Sequence, residues 1–171
     1  MSVAIADRKL FALGVGLCIA VIVLDQASKA IVIRVMETHP FGIPVLPFFS
    51  VVAAWNKGVS FSLLRDLGVG ILAGGAILVS LGLIAWLTRI ENRFQAAGVG
   101  LIAGGALGNV IDRLRAGAVF DFLDFYIKTG GGKEWHWPAF NVADSAITVG
   151  VILLLFHGLF QSADRAKTEH S

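Results

Sequence analysis

Charge is what this sequence has least of. Only 15% of its 171 residues are Asp, Glu, Lys or Arg, while 56% are hydrophobic and the mean hydropathy is +0.78. A soluble domain of this length needs more charge to cover its outside. A net charge of +2, with no basic block interleaved with aromatics, argues against a nucleic-acid partner. Cysteine is nearly absent too. Cys18 stands alone inside an apolar run, which excludes a disulfide framework within the chain and reads as a packing residue. His39, His136, His157 and His170 are scattered without metal-ligand spacing, so no metal is expected, and His157 reads as a satisfied helix residue. No glycine loop leads to a Lys-Ser/Thr pair, so no phosphate-cradling motif is present. A Ser–Lys dyad drawn from Ser60 and Lys57 has nothing to fix either side chain.

What is there is a set of long apolar runs, the pattern of a polytopic membrane protein. The expected class is a membrane all-α fold: one domain over 1–171, with four transmembrane helices at about 10–33, 67–87, 96–114 and 142–160. The basic preface Arg8-Lys9 and the Asp25-Gln-Ala-Ser-Lys29 that follows the first run mark a retained span rather than a removed signal peptide. Two loops, 36–66 and 115–140, fall on the side opposite the termini. The first holds Pro40, Pro44 and Pro47, then a β-branched and aromatic stretch with Asn56-Lys-Gly58 as a turn, which predicts a small β-rich element. The second contains Gly130-Gly-Gly132 and reads as a mobile loop. Trp55, Trp135, Trp137 and Tyr126 suit the headgroup layer. Positive charge is denser in the short segments carrying Arg8, Lys9, Arg89 and Arg93, although the loops hold more in total. That density places the termini in the cytoplasm and the loops outside.

Three spans carry polar residues at i, i+3 and i+4 near their outer ends: Asp25/Ser28/Lys29, Asn109/Asp112/Arg113 and Asn141/Asp144/Ser145. Each trio shares one helix face, and lipid-facing charge at that depth is costly. A polar cluster pointing inward among the helices is the expected result. Gly100, Gly104 and Gly108, one at every fourth position, let neighbouring backbones approach the third span closely.

The charge balance of that cluster is informative. Lys29 lies one turn after Asp25 and pairs with it, and Arg113 is expected to hold Asp112. Asp121, set between Phe120 and Phe122, and Asp144, in the first turn of the fourth span, are then left without a cation. Two carboxylates in one apolar-walled site do not both ionise easily. One can activate water while the other protonates a leaving group. Asp124, three residues farther along, reads as solvated or as a turn acceptor. An ion-coupled transporter also keeps buried acids, but four short spans without an inverted repeat make a poor transport path. A scaffold protein would use the acids only in structural pairs.

Five blocks, in this order, resemble those of bacterial lipoprotein signal peptidases, the signal peptidase II family. They are Asp25-Gln-Ala-Ser-Lys29, Asn56-Lys-Gly-Val-Ser-Phe61, Gly104-Gly-Ala-Leu-Gly-Asn-Val-Ile-Asp-Arg113, Val119-Phe-Asp-Phe122 and Phe140-Asn-Val-Ala-Asp-Ser145. The resemblance implies a cofactor-free aspartyl endopeptidase of the bacterial inner membrane, with a periplasmic β-rich element. It would cleave prolipoproteins before a diacylglyceryl-modified cysteine, near the periplasmic surface, and be inhibited by globomycin-type compounds. Asp121 and Asp144 match the family's catalytic positions. Asp25, Lys29, Asn56, Gly58, Asn109, Asp112, Arg113, Asn141, Ala143 and Ser145 match or lie within the blocks that support the site.

Overall fold

The computed structural model describes residues 7–58, 65–129 and 131–169, with side chains described at 7–58, 68–129 and 131–159. Ser60 of the Ser–Lys pairing, Phe61, Gly130 and His170 lie outside the described residues. The order of elements is α1 (Arg8–Met36), β1 (Ile43–Leu46), β2 (Phe49–Asn56), α2 (Arg65–Leu87), α3 (Arg93–Ala116), β3 (Val119–Thr129), β4 (Lys133–His136) and α4 (Val142–Glu169). Four helices are long and apolar enough to cross a membrane.

Local chemistry sets several of the helix ends. Asp7 caps α1 by accepting from the Lys9 N–H at 2.8 Å, and Asn92 caps α3 by accepting from the Phe94 N–H at 2.7 Å. Gly117, at φ +69°, ends α3 in the left-handed conformation that suits a residue without Cβ. Helix α3 is central, because α1, α2 and α4 all pack on it. Its glycines make this possible. A Cβ on Gly104 would lie 2.6 Å from the Cys18 carbonyl oxygen of α1, and one on Gly98 would lie 3.0 Å from the Gly150 carbonyl of α4. Small residues bring backbones together where lipid offers no hydrophobic drive for helices to associate. Cys18 is buried in this seam, as its apolar setting suggested. Leu24, Leu78 and Leu155 point away from the bundle, more than half exposed, as lipid-facing side chains do.

The strands form one antiparallel sheet in the order β1-β2-β3-β4. The four expected helices and the expected small β-rich element are both present, and the sheet is larger than the first loop alone suggested. The second loop, read as mobile, holds the hairpin β3–β4, and β3 is the longest strand of the sheet. Its run Val-Phe-Asp-Phe-Leu-Asp-Phe-Tyr-Ile is aromatic and β-branched throughout, and Gly131 and Gly132 turn the chain at φ +81° and +75°. Tyr126 is buried, with its ring on His136 at 5.2 Å, so it is not at a wet surface. Trp55, Trp135 and Trp137 are about half exposed. His157, expected to be satisfied, has a buried Nε2 without a hydrogen-bond partner among the described residues.

Two features of the sheet place the site. Asp121 on β3 pairs in register with Ala54 on β2, beside a bulge between Val51 and Ala54. Phe140 then bonds back to β3, its N–H reaching the Leu123 carbonyl at 3.1 Å and its carbonyl receiving the Leu123 N–H at 2.8 Å. That bridge starts α4 two residues from Asp121 along the sheet.

Candidate active site

The polar trios meet where the helices adjoin the sheet. Lys29 lies at the centre, 3% exposed, with Nζ 2.8 Å from Asp25 Oδ2, 2.6 Å from Asp112 Oδ2 and 3.2 Å from Asn109 Oδ1. One ammonium therefore serves two acids. This corrects the expected Arg113–Asp112 pair. Arg113 donates to the Asn109 carbonyl at 3.4 Å, and no carboxylate partners it among the described residues. Adjacent positions on a helix point about 100° apart, so a neighbour on α1 reaches Asp112 and its own neighbour Arg113 does not.

Asp25 is fully buried. Its Oδ1 accepts from the Ala143 N–H at 3.0 Å, one of the orphan donors at the start of α4. Ala143 thus enters through its backbone. A Cβ on Gly108 would lie 2.8 Å from Asp25 Oδ2, so the glycine seam also leaves room for this carboxylate. Asp112 reaches outward to the sheet, where its Oδ2 accepts from the Phe120 N–H at 3.2 Å and fixes β3 one residue before Asp121. Gln26, which sequence reasoning passed over, closes the network. Its Nε2 donates to Asp112 Oδ1 at 2.9 Å, Asp25 Oδ2 at 3.2 Å and the Gly108 carbonyl at 3.3 Å. A lone Gln within a span gives no signal by spacing.

Asp121 and Asp144 are held differently, by three asparagines. Asn56 Oδ1 accepts from the Gly58 N–H at 2.8 Å, which turns Nδ2 onto Asp121 Oδ2 at 3.1 Å. Gly58 adopts φ +76°, as this tight turn requires. Asn109 Oδ1 faces Lys29 Nζ, which turns its Nδ2 onto Asp144 Oδ1 at 2.8 Å. Asn141 Oδ1 accepts from the Asp144 N–H at 2.9 Å, and its Nδ2 donates to Asp121 Oδ1 at 2.7 Å. Asp144 Oδ2 accepts the Asn141 N–H in return at 3.2 Å, which completes a reciprocal capping box at the start of α4. In each amide a donor fixes the oxygen, so the NH2 must face a carboxylate. All four carboxylate oxygens receive a neutral N–H, and neither acid has a cation within ion-pair distance among the described residues. Ser145 stands apart, donating to the Asn141 carbonyl at 2.9 Å as a helix residue.

Asp121 is 2% exposed, and burial pushes its carboxyl up to about 6. The Asn56 hydrogen bond opposes that rise, and the negative charge of Asp144 adds to it. Asp124 is not solvated as expected. It is buried on the other face of β3, with His136 Nδ1 2.9 Å from its Oδ2. This contact raises the His136 imidazole above its ordinary range.

A sequence profile described as Signal peptidase (SPase) II matches residues 17–160, from within α1 to α4. The chain belongs to the signal peptidase II family. It is 39% identical over 157 residues to the lipoprotein signal peptidase of Nitrobacter hamburgensis, covering 87% of this chain and 93% of the relative. It is 43% identical over 153 residues to that of Coxiella burnetii, covering 86% and 90%. Two solved bacterial membrane enzymes share the fold at a TM-score of 0.71. One is 27% identical, covering 88% of this chain and 90% of its own, and the other is 26% identical, covering 93% and 98%. Signal peptidase II enzymes remove signal peptides from lipoprotein precursors. The matched segment contains every residue of the polar network except those that only cap helix ends outside it.

Proposed function

We propose that the chain is an aspartyl endopeptidase of the bacterial inner membrane that cuts prolipoproteins before a diacylglyceryl-modified cysteine, using Asp121 and Asp144. The observation that carries this reading is the sharing of Asn141. Asn141 donates to both acids, from its side-chain Nδ2 to Asp121 and from its backbone N–H to Asp144, while Lys29 takes up the other two carboxylates of the cluster. Asp121, pushed up to about 6 by burial, holds the proton that the pair shares. Asp144, whose two oxygens accept from the Asn109 amide and the Asn141 N–H, is the base. Asp144 takes a proton from water, the water attacks the carbonyl before the lipidated cysteine, and Asp121 protonates the departing amine. Asn56, Asn109 and Asn141 hold both acids in place without neutralising them. The substrate's acyl chains stay against lipid-facing helix surface, with the scissile bond at the sheet. That geometry fits a periplasmic sheet, cytoplasmic termini and a substrate whose cysteine leaves the membrane there.

The test uses purified protein, a diacylglyceryl-modified prolipoprotein and a gel shift to the shorter product. Asp121→Asn and Asp144→Asn each keep the shape of the side chain and should lower the rate by a factor of roughly 10² to 10⁴. A globomycin-type inhibitor should block the wild-type shift. Cleavage at near wild-type rate by either folded variant overturns the assignment.

A further inference from the structure

A pocket of about 230 Å³ opens between α1, the C-terminal end of α3 and β2, sharing Gln26, Lys29 and Asp112 with the polar network but neither Asp121 nor Asp144. Gln26, Ala30 and Ile33 line it from α1, Arg115 from α3, and Trp55 with Phe120 from the sheet. Trp55 and Phe120 are register partners on β2 and β3, with ring centroids 5.0 Å apart. Side chains alternate along a strand, so Phe120 and Asp121 point to opposite faces of the sheet. The pocket therefore lies behind β3, on the side away from the paired aspartates.

Its electrostatics are one-sided. Asp112 reaches the pocket wall, but Lys29, Gln26 and the Phe120 N–H already occupy its oxygens. Lys29 is likewise taken up by Asp25 and Asp112. Arg115 remains. It is exposed, and among the described residues its guanidinium fork makes one hydrogen bond, from Nη1 to Gln26 Oε1 at 3.2 Å. The fork stands on the last turn of a membrane helix, at the level of the sheet and beside the half-exposed Trp55. Guanidinium groups match phosphate oxygens, and an indole at that depth marks the headgroup layer.

We propose that this pocket binds the headgroup phosphate of an anionic phospholipid from the surrounding membrane. Arg115 holds the phosphate, Trp55 and Phe120 flank the glycerol, and Ala30 and Ile33 form the apolar wall along which the acyl chains descend. The lipid closes the α1–α3 seam from outside. It stands independently of which acids cleave the substrate.

Native mass spectrometry of the full chain, released from detergent with equal dioleoyl-phosphatidylglycerol and dioleoyl-phosphatidylcholine, tests this directly. One phosphatidylglycerol should be retained in preference by about fivefold, the worth of one well-placed cation near a charged headgroup. Arg115→Gln, which keeps a donor for Gln26, should abolish the preference, and Ala30→Phe, which fills the pocket, should lower retention of either lipid. Circular dichroism verifies that both variants fold. Equal retention of the two lipids by the wild type, or an undiminished preference in Arg115→Gln, overturns the proposal. Displacement of the lipid by sn-glycerol 3-phosphate would make the ligand a soluble phosphate, and displacement by a diacylglyceryl-modified peptide on Asp144→Asn would make the pocket part of the substrate path. Either result also overturns it.

Discussion

Two pairs of carboxylates share the mouth of this bundle and are held by opposite means. Asp25 and Asp112 are locked to one buried ammonium, with distances of 2.8 and 2.6 Å from Lys29. Asp121 and Asp144 receive only neutral N–H groups, three from asparagine amides and one from the backbone. A carboxylate beside a buried ammonium meets a matched charge. A carboxylate held by amides is fixed in position while its charge stays uncompensated. The first pair is bound to a buried cation, and the second pair, proposed to be catalytic, is not.

That contrast can be broken from either end. The largest effect belongs to Lys29→Met, which leaves two buried acids without their cation. It should destabilise the folded protein by about 3–5 kcal/mol, seen as loss of folded yield and a lower melting temperature. Adding Asp25→Asn should restore part of the loss, since the amide oxygen can still accept the Ala143 N–H. Gly108→Ala comes next. Its Cβ would sit 2.8 Å from Asp25 Oδ2, and displacing that carboxylate should cost about 1–3 kcal/mol in thermal unfolding.

The reactive pair is better probed by pH. With Asp121 as the proton carrier, kcat/KM should fall as pH rises through about 6. Asn56 donates to the ionised form and so holds this value down. Asn56→Ala should move the alkaline limb to higher pH, and an unmoved limb would show that another group controls it. The sign for stability is the same. An acid whose folded pKa is raised favours the fold most at low pH, and that contribution is lost between pH 4 and 6.

The smallest expected effect lies in the hairpin, where Asp124 offers a third treatment of a carboxylate. His136 is raised by its hydrogen bond to Asp124, so the charged pair supports β4 at low pH and is lost as pH rises through the folded-state value, above 6.5. Asp124→Asn should return the imidazole toward its ordinary value in an NMR titration and remove the pH dependence of amide protection in β4.

Much of this was legible in the sequence where it depended on neighbours along one helix. The Asp25–Lys29 pair follows from their four-residue spacing, and the close approach of α3 from its glycine repeat. The convergence of polar trios follows from the cost of facing lipid. What depended on a second element was harder. Arg113 sits next to Asp112 in sequence, yet Lys29 of α1 takes that acid, because the choice is made by which helix face meets which. Gln26 looked inert because three of its four partners, Gly108, Asp112 and Arg115, lie on another helix, α3. The β3–β4 hairpin was hidden by its glycines, which suggested motion although the flanking aromatic run had strand character. Asp124 looked exposed until His136 folded back over it from a strand that the reading did not contain.

Asn141 has a consequence for the order in which the molecule is made. Its oxygen caps the last helix, and its side-chain nitrogen reaches back to Asp121 on β3. Asp144 answers from one turn further on. A nascent chain that has inserted its first three helices carries Asp121 but has neither the amide that positions it nor the acid that works with it. The same few peptide units that let α4 enter the membrane bring the two acids together. With Asp121 and Asp144 as the proposed catalytic pair, a chain cut before α4 should fold its first three helices and cleave nothing, which the gel-shift assay reads.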